Sequence, residues 1–305
     1  MGSFIVKRLF LAVVTIVGVS IIVFVCARLS GDVTFLLLPT DATEQDIRNI
    51  RQSLGLDQPL WVQFMRFVAA VFHGDFGESI KYQVPAMDLV VARIPATVQL
   101  TLSAFFISIV VGIPLGVVAA LRRNSVSDWT IRSVAVLGQS MPNFWIGLML
   151  ILLFAVKLQW LPSSGRGGFS HLILPAFTLA LFGIAAIMRV TRSSLLEQLD
   201  MDYVRFLSSK GLSARLILWK HMLRNAIIPV LALCGVLLAN LIGGAVIIEA
   251  VFNWPGLGSL VVESVVGRDY PVIQAAVILT SVFLILLNLS IDVAFGVVDP
   301  RIRYQ

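Results

Sequence analysis

Few residues in this sequence combine a type and a spacing that could support metal chemistry. The three histidines, His73, His171 and His221, fall in separate polar segments, which is too dispersed for a metal site. The two cysteines, Cys26 and Cys234, lie within different apolar segments and are expected to pack as small apolar side chains. We therefore predict no metal site and no bound cofactor.

Sequence patterns for catalysis and nucleotide binding are also missing. The motif Gly-x-x-x-x-Gly-Lys-[Ser/Thr], whose backbone N–H groups cradle phosphates, does not occur. No arrangement of serine, histidine and aspartate has a geometry that would support a nucleophile, so an intramembrane hydrolase is not expected. We predict that the chain has no catalytic residue.

Two carboxylates, Glu249 and Asp292, interrupt long apolar segments, and Asn240 and Asn288 accompany them. Ionisable residues at such positions are functional candidates by default, because burying a charge is costly. We expect Glu249 to be solvated, and for both carboxylates we favour a structural role over a role in translocation. An ion-driven carrier would need a chain of buried carboxylates or broken half-helices in two matching halves, and neither is present.

The composition shows why these polar residues are so few. Of the 305 residues, 58% are hydrophobic and 13% are charged, and the mean hydropathy is +0.93. Soluble domains have about 45–50% apolar and roughly 25% charged residues. This composition excludes a water-soluble globule, and two cysteines exclude a disulfide scaffold. The sequence indicates an integral membrane protein.

Continuous apolar runs predict the elements that cross the membrane. A bilayer core of about 30 Å needs roughly 20 apolar residues in a helix. The runs that approach or exceed this length cover residues 9–29, 97–121, 134–156, 172–188, 226–251 and 272–298. Because the apolar residues do not alternate with polar ones, helices are favoured over strands. We predict an all-α integral membrane protein with six transmembrane helices.

The distribution of basic residues predicts the orientation. With six spans both termini share a side, and placing them in the cytoplasm puts most of the 23 Lys and Arg residues on that side. This preference accounts for most of the net charge of +6. Since these residues lack the aromatic interleaving of a strand-binding groove, we predict no nucleic-acid partner.

The long polar segment 30–96, between the first two spans, is expected to be a folded periplasmic loop. Asp41 or Thr43 could cap a helix that runs to about Leu54, and Pro59 stands at the start of a second helix. Residues 74–77 (Gly-Asp-Phe-Gly) are typical of a turn. The loop could be a lid or a docking surface for a partner outside the cytoplasm, and the pattern favours the lid.

The second long polar segment, 189–225, is predicted to be a cytoplasmic loop with two amphipathic helices. The first has apolar residues at helical spacing, namely Leu195, Leu199, Tyr203 and Phe206/Leu207. Gly211 ends it, and the second contains Leu212, Leu216, Trp219 and Leu223. An apolar face of this kind must be buried against anionic lipid or in a groove of a soluble subunit, and periodicity does not choose between them.

Several sequence motifs resemble the permease subunits of binding-protein-dependent ATP-binding-cassette (ABC) importers, in the branch for dipeptides, oligopeptides, nickel and glutathione. The inner loop contains Asp202-Tyr203-Val204-Arg205, Lys210-Gly211-Leu212 and His221-x-Leu223-Arg224-Asn225-Ala226-x-x-Pro229. Other matching motifs are Leu54-Gly55-Leu56-Asp57-x-Pro59, Gly74-Asp75-Phe76-Gly77-x-Ser79, Arg93-x-Pro95-Ala96-Thr97, Ser140-Met141-Pro142-x-Phe144-Trp145, Phe252-x-Trp254-Pro255-Gly256-Leu257-Gly258, Arg268-Asp269-Tyr270-Pro271 and Asn288…Asp292…Asp299-Pro300-Arg301. Their order along the chain is more specific than any single motif.

The resemblance implies a single type I importer transmembrane domain over residues 1–305, multi-pass in a bacterial inner membrane. Its implied partners are a second homologous permease subunit, two ABC ATPase subunits, a periplasmic or lipid-anchored substrate-binding protein and membrane lipid. ATP hydrolysis is expected on the ATPase subunits. The cargo implied is a small solute of the di- or oligopeptide kind, and the alternative is a stand-alone six-helix secondary carrier or channel.

The same resemblance assigns candidate site residues. Those expected to couple the chain to the ATPase are Asp202, Tyr203, Arg205, Phe206, Leu207, Lys210 and Gly211. Trp254, Pro255 and Gly256 are expected at the translocation path or outer mouth, with simple turn formation as the alternative, and Glu249 near the outer end of the fifth span is a candidate for the same site. The chain departs from the family by bulky Phe206 and Leu207 in the coupling turn, where small residues are usual, and by Ser30-Gly31-Asp32-Val33 after the first span.

Overall fold

The computed structural model describes residues 2–29, 43–53 and 57–298, which are almost entirely helical. Only an isolated β-bridge between Glu78 and Pro85 interrupts the helices and loops of this part of the chain. In chain order the helices are α1 (Gly2–Leu29), α2 (Glu44–Ser53), α3 (Leu60–Phe72), α4 (Ala86–Leu121), α5 (Val126–Ser140), α6 (Asn143–Lys157), α7 (Phe169–Leu199), α8 (Asp202–Ser209), α9 (Ala214–Val251), α10 (Leu257–Val266) and α11 (Tyr270–Val298).

The predicted membrane-spanning helices are largely confirmed. Within the described residues, α1, α4, α7, α9 and α11 are each long and apolar enough to cross a membrane. The third predicted span is not one straight helix, because α5 and α6 meet at an angle of 105°. Pro142 explains the break, since its ring disfavours helical geometry at the preceding Met141, which is extended (φ −88°, ψ 141°).

Several predicted boundaries were wrong because helices continue beyond their apolar core. Helix α4 begins at Ala86, so it takes the last part of the predicted loop 30–96. Helix α7 continues to Leu199 instead of ending at 188, and α9 begins at Ala214. The predicted second amphipathic helix is therefore the first turns of α9. Ser213 caps it by accepting the amide of Leu216 at 3.4 Å.

The chain divides into two compact units, one of residues 1–95 with 260–305 and one of residues 96–259. The core of the second unit lies among α4, α7 and α9 and includes Leu100, Leu179 and Ile248.

Two glycines of α4 allow close approach to α7. A Cβ on Gly112 would lie 2.9 Å from Ile187 Cβ, and one on Gly116 would lie 2.6 Å from Thr191 Cβ, so neither position tolerates a side chain without movement.

In the first unit, aromatic contacts connect α1 with α3. Phe24 lies edge-to-face with Phe64, with ring centroids 5.4 Å apart, and its ring is 5.8 Å from that of Phe67. Helix α3 begins after Pro59, as predicted. Thr43 caps α2 by accepting the Asp46 amide at 3.3 Å, which confirms one of the two predicted caps, while Asp41 lies outside the described residues.

A buried carboxylate in this first unit fixes the segment that precedes α4. Asp269, 1% exposed, accepts hydrogen bonds from the Ser79 hydroxyl and from the backbone amides of Ile80 (3.2 Å) and Lys81 (3.4 Å). Nearby, Glu263 of α10 accepts hydrogen bonds from the Lys81 ammonium and from the Tyr82 hydroxyl (2.7 Å). The turn between α10 and α11 therefore holds residues 79–82 in place.

Candidate functional site

Helix α8 contains most of the residues predicted to couple the chain to a partner. It follows a short break after α7, where Met201 is extended (φ −78°, ψ 143°). Gly211 follows the C-cap residue Lys210 and terminates the helix, since its φ of +77° favours a residue without a Cβ. The amide of Gly211 donates to Ser208 O at 3.0 Å and that of Leu212 to Leu207 O at 3.3 Å, which is the pattern of a Schellman motif.

One face of α8 is packed against the chain itself. Val204 and Leu207, together with Leu212, contact a buried apolar cluster to which three helices contribute. The cluster consists of Val117, Ala120, Leu195, Ile217, Leu218, Met222 and Ala226. Tyr203 is fixed as well, because its hydroxyl donates to Gln198 Oε1 of α7 at 2.7 Å. Much of the predicted apolar face therefore needs no partner to cover it.

The other face of α8 is open. Phe206 is 58% exposed, and the Lys210 Nζ lies 4.5 Å from the centroid of its ring, within the range of a cation–π contact. Arg205 and Asp202 are exposed and form a loose ion pair at 3.9 Å. The structure thus separates two neighbours that the sequence grouped together, since Phe206 faces outward and Leu207 packs inward.

Three further exposed apolar residues flank α8. Met201 is 48% exposed, Leu216 44% and Trp219 59%. Sequence reasoning placed Leu216 and Trp219 on an amphipathic helix but did not include them among the candidate coupling residues. They could have been identified from the sequence, because bulky apolar residues are unexpected in a basic, polar segment.

The second predicted group surrounds the turn between α9 and α10. Glu249 is 0% exposed, so the expectation that it is solvated is wrong. Its Oε1 accepts the Thr97 hydroxyl at 2.6 Å, and its Oε2 accepts the amides of Gly258 (2.7 Å) and Ser259 (3.1 Å). The chain reverses direction after α9, which places the first turn of α10 over the Glu249 carboxylate. The hydrogen-bond donors of that turn and of Thr97 take the place of water around the carboxylate.

Trp254, Pro255 and Gly256 form the reversal itself. Trp254 is 1% exposed, and its indole Nε1 donates to the carbonyl oxygen of Ala96 at 2.9 Å. A Cβ on Gly256 would overlap the Glu249 carboxylate, so glycine is required there for space. Pro255 is half-buried between them. The four predicted outer-mouth residues therefore come together, as an internal hydrogen-bonded turn.

Two hydrogen-bond partners of this turn, Ala96 and Thr97, were not among the candidate residues. Thr97 donates to Glu249 and also accepts the amide of Leu257 at 2.8 Å. Thr97 could have been singled out from the sequence, because it is part of the motif Arg93-x-Pro95-Ala96-Thr97. The structure brings that motif into contact with Phe252-x-Trp254-Pro255-Gly256-Leu257-Gly258, although the two are far apart in sequence.

Other predicted polar candidates contribute less. Asp292 lies in α11, but its side chain is outside what the structure describes, and Asp299, Pro300 and Arg301 lie beyond the described residues. Asn288 is exposed. Across residues 2–29, 43–53 and 57–298, no three His, Cys, Asp or Glu side chains lie close enough together to hold a metal ion.

In the described residues, five helices are long and apolar enough to cross a membrane, and the short exposed helix α8 lies between two of them in the chain, which is the pattern of a multi-pass membrane protein. The family model described as "Binding-protein-dependent transport system inner membrane component" matches residues 112–304, and the model for its N-terminal part matches residues 1–101. The chain belongs to this family, which confirms the resemblance drawn from its motifs.

Named relatives agree with this assignment over the whole chain. The glutathione transport system permease protein GsiC of Escherichia coli (strain K12) is 41% identical over 306 residues, with 100% of both chains covered. The probable peptide ABC transporter permease protein y4tP of Sinorhizobium fredii is 41% identical over 313 residues, again with 100% of both covered. The chain is a permease subunit of an ABC importer in a bacterial inner membrane, and this finding disfavours the stand-alone carrier or channel.

Solved structures support the same fold. The MetNI methionine ABC transporter in an inward-facing conformation aligns with a TM-score of 0.60 at 20% identity, covering 70% of this chain and 97% of that one. An amino acid ABC transporter crystallised with histidines aligns with a TM-score of 0.51 at 15% identity, covering 68% and 93%. At these identities the likeness concerns the fold alone.

Proposed function

We propose that the chain forms a translocation path with a second homologous permease subunit, above two ABC ATPase subunits and below a substrate-binding protein that is periplasmic or lipid-anchored. The two ATPase subunits would hydrolyse the ATP. The family description names dependence on a binding protein, and the chain matches it over most of its length. The cargo class we propose is di- or oligopeptide-like, because the named relatives transport glutathione or peptides and align over 100% of the chain.

The observation that carries this proposal is the geometry of α8. A helix fixed by its inner face and by a Schellman turn presents Phe206, Arg205 and Lys210 outward as a preformed surface. Such a surface suits insertion into a groove of a soluble subunit, with Phe206 as an apolar anchor and the basic side chains as charge complements. We propose residues 202–211 as the coupling element of the predicted cytoplasmic loop 189–225.

The contacts of α8 with the rest of the chain support a lever mechanism. Leu207 and Val204 pack on residues of α4, α7 and α9, so α8 cannot shift without displacing the ends of those helices. Closure of the ATPase pair around ATP would push α8 and rock the bundle between inward- and outward-open states. The chain itself supplies no chemistry in this scheme, only the transmission of movement.

We further propose that the α9–α10 turn stiffens the outer mouth of the path. Its residues Glu249, Trp254, Pro255 and Gly256 are held by hydrogen bonds and by close packing. A buried carboxylate with several donors resists local opening, because each donor left without it would be unsatisfied. In this proposal the turn positions the mouth and does not itself bind cargo.

Assembly and energy source can be tested on the intact complex. Co-expression with the neighbouring ATPase and permease genes, followed by purification in mild detergent, should give co-elution of all subunits and ATP-dependent uptake in proteoliposomes. A homo-oligomer that transports without ATP would contradict the proposal. Uptake of radiolabelled glutathione and of a dipeptide mixture, with purified binding protein present, tests the cargo class.

Orientation requires a separate test. We propose that both termini and α8 lie in the cytoplasm and that residues 30–96 lie outside it. Two single-cysteine variants, Glu78→Cys and Arg123→Cys, are made at exposed positions in a protein from which Cys26 and Cys234 have been removed. A membrane-impermeant maleimide should label Glu78→Cys on intact spheroplasts and Arg123→Cys only after lysis. The reverse pattern would contradict the orientation.

A further inference from the structure

A cluster of charges around one buried carboxylate connects α5 with the last third of α7. Asp128 of α5 is 0% exposed, and its two oxygens accept a two-point contact from Arg192 of α7, with Nε at 2.8 Å and Nη2 at 2.9 Å. The Nε of Arg132 lies 3.2 Å from Asp128 Oδ1. A planar guanidinium that contacts both carboxylate oxygens fixes orientation as well as distance.

The start of α5 holds Asp128 in position for this contact. Ser125 is the N-cap of α5 and accepts the Asp128 amide at 3.3 Å, while the Asn124 amide donates to Asp128 Oδ2 at 3.1 Å. This reciprocal arrangement resembles a capping box, in which the side chain at the third helical position bonds back to the turn before the helix. The start of α5 therefore orients the carboxylate through contacts that do not involve Arg192.

A second contact joins the same two helices one turn earlier. Arg189 of α7 donates to Gln139 of α5 at 2.8 Å. Leu195, one turn after Arg192, belongs to the buried cluster on which α8 packs. Residues 189, 192 and 195 follow one another at helical spacing, so one stripe of α7 contacts α5 at two points and supports α8 at the third.

We propose that the Asp128–Arg192 pair is a positioning contact that makes α5 move together with α8. The inference rests on the proposed coupling role of α8 and extends it to α5. An apolar contact would let α5 slide along α7, whereas a two-point ion pair buried at its carboxylate keeps one register. Displacement of α8 is therefore transmitted through the end of α7 to α5 and from there to the 105° bend before α6.

The pairing of Asp128 with Arg192 was not recognised from the sequence. Arg189 and Arg192 lie at the start of the segment 189–225, which the sequence predicted to be a cytoplasmic loop, so contacts with α5 were not expected. The structure assigns both side chains to α5, where Asp128 and Gln139 bind them.

The test uses the assembled complex with its ATPase subunits in lipid nanodiscs. A bimane fluorophore is attached to Val126→Cys, an exposed residue two positions before Asp128, in a variant without Cys26 and Cys234. ATP with vanadate, which traps the closed ATPase pair, should change the bimane emission. In Asp128→Asn/Arg192→Met the amplitude of this change should fall about fivefold or more, as expected when a coupling contact is lost.

The double variant separates coupling from folding. Replacing Arg192 alone removes the two-point partner of the buried Asp128 carboxylate, whereas replacing both residues avoids that cost. Arg132, the remaining charge, is 41% exposed and can be hydrated, so the double variant should assemble in near-normal amounts. Arg192→Lys is a second probe, because it keeps the charge and removes the planar two-point contact, and we expect it to reduce the amplitude too. Arg123→Gln, which removes an exposed charge near the same turn, is the matched control and should retain it.

The outcomes are distinct. A full emission change in either Asp128→Asn/Arg192→Met or Arg192→Lys overturns the inference and leaves the proposed function standing. Failure of the wild-type chain to assemble with ATPase subunits overturns the proposed function instead. Loss of the change with ATP hydrolysis retained supports the positioning role, since a purely structural defect would reduce both in proportion to the assembled complex.

Discussion

Thr97 donates its hydroxyl hydrogen to Glu249 Oε1 at 2.6 Å and accepts the amide of Leu257 at 2.8 Å. A single side chain of α4 thus joins the last turn of α9 to the first residue of α10. Together with the amides of Gly258 and Ser259, it gives the buried carboxylate several donors. The turn is consequently held by a network and not by one contact, and its members should depend on one another.

Glu249→Gln should destabilise this turn without changing its volume. The glutamine side chain has an NH2 group where glutamate has a second oxygen. This NH2 would face one of the hydrogen-bond donors that now contact the carboxylate, so at least one donor is left without an acceptor. We expect a cost of about 1–3 kcal/mol, seen as a lower midpoint in thermal unfolding of the detergent-purified protein. Glu197→Gln, an exposed position, is the control. Equal midpoints for Glu249→Gln and wild type would contradict the network.

Gly256→Ala should be destabilising for steric reasons alone. A Cβ at this position would overlap the Glu249 carboxylate, whereas a Cβ at Gly243 of α9 would meet nothing within 4 Å. We expect Gly256→Ala to cost about 1–3 kcal/mol, and Gly243→Ala to be neutral or slightly stabilising because alanine favours helices. Thermal midpoints of the two variants provide the comparison, and a tolerated Gly256→Ala would show that the turn is looser than described.

Leu207→Asp should damage the fold of the chain, unlike a change at its exposed neighbour. Leu207 packs on the cluster that includes Leu195 and Ile217, so an aspartate there buries a charge without a partner. We expect a strong loss of membrane-inserted protein, measured by immunoblot of washed membranes. Ser208→Asp introduces the same charge on an exposed position and should be present at wild-type levels. Similar levels for both variants would mean that α8 is not packed as described.

The contact between Glu263 and Lys81 predicts a defined dependence on pH. The hydrogen bonds from Lys81 and, secondarily, Tyr82 hold the pKa of the Glu263 carboxyl below its usual value of 4.5. The same contact with Glu263, followed by that with Tyr82, raises the pKa of Lys81 above its usual 10.5. The contribution of Glu263 is present above its unfolded pKa and lost as pH falls through the lowered pKa. That of Lys81 is lost only as pH rises through the raised pKa.

Hydrogen exchange of residues 78–85 tests this pH dependence. At pH 7, Glu263→Gln should raise exchange slightly relative to wild type after correction for intrinsic rates. As the pH is lowered from 7 through the lowered pKa of Glu263, where the wild-type carboxylate takes up a proton, the difference should shrink. Glu44→Gln, which removes the exposed pair with Arg48 in α2, should leave the segment unchanged. A difference that is constant over this range would contradict the role of the carboxylate.

The fold was largely predictable because membrane insertion imposes long apolar runs. The straight spans follow from hydropathy, and the C-terminal end of α8 follows from Gly211. The start of α8 was predicted wrongly, because Leu195 and Leu199 were placed on the same helix as Tyr203 and instead belong to α7, which ends before the extended Met201. The bend between α5 and α6 was missed because the apolar residues on both sides of it were taken as one run, and a hydropathy window does not register Pro142. Helix ends at Ala86 and Leu199 were missed because polar residues can extend a helix beyond the apolar stretch.

The sites were less predictable, since their contacts join residues distant in sequence. Glu249 was recognised as unusual, but its partner Thr97 lies 152 residues away. Arg192 lies 64 residues from Asp128, and a count of charges by loop treats it as exposed. Phe206 and Leu207 are both large apolar residues and are adjacent in sequence. Only their positions around α8 show that Phe206 is exposed and that Leu207 packs against the buried cluster.

The central claim, that α8 engages the ATPase through its exposed face, is tested most directly by Phe206→Asp in the reconstituted complex. Phe206 is 58% exposed, so the variant should insert and fold normally. The measurement is ATP hydrolysis stimulated by substrate-loaded binding protein, normalised to the amount of membrane-inserted permease, with Ser208→Ala as the control. We predict that stimulation is lost in Phe206→Asp and retained in the control. Wild-type stimulation in Phe206→Asp would contradict the assignment of α8 as the coupling helix.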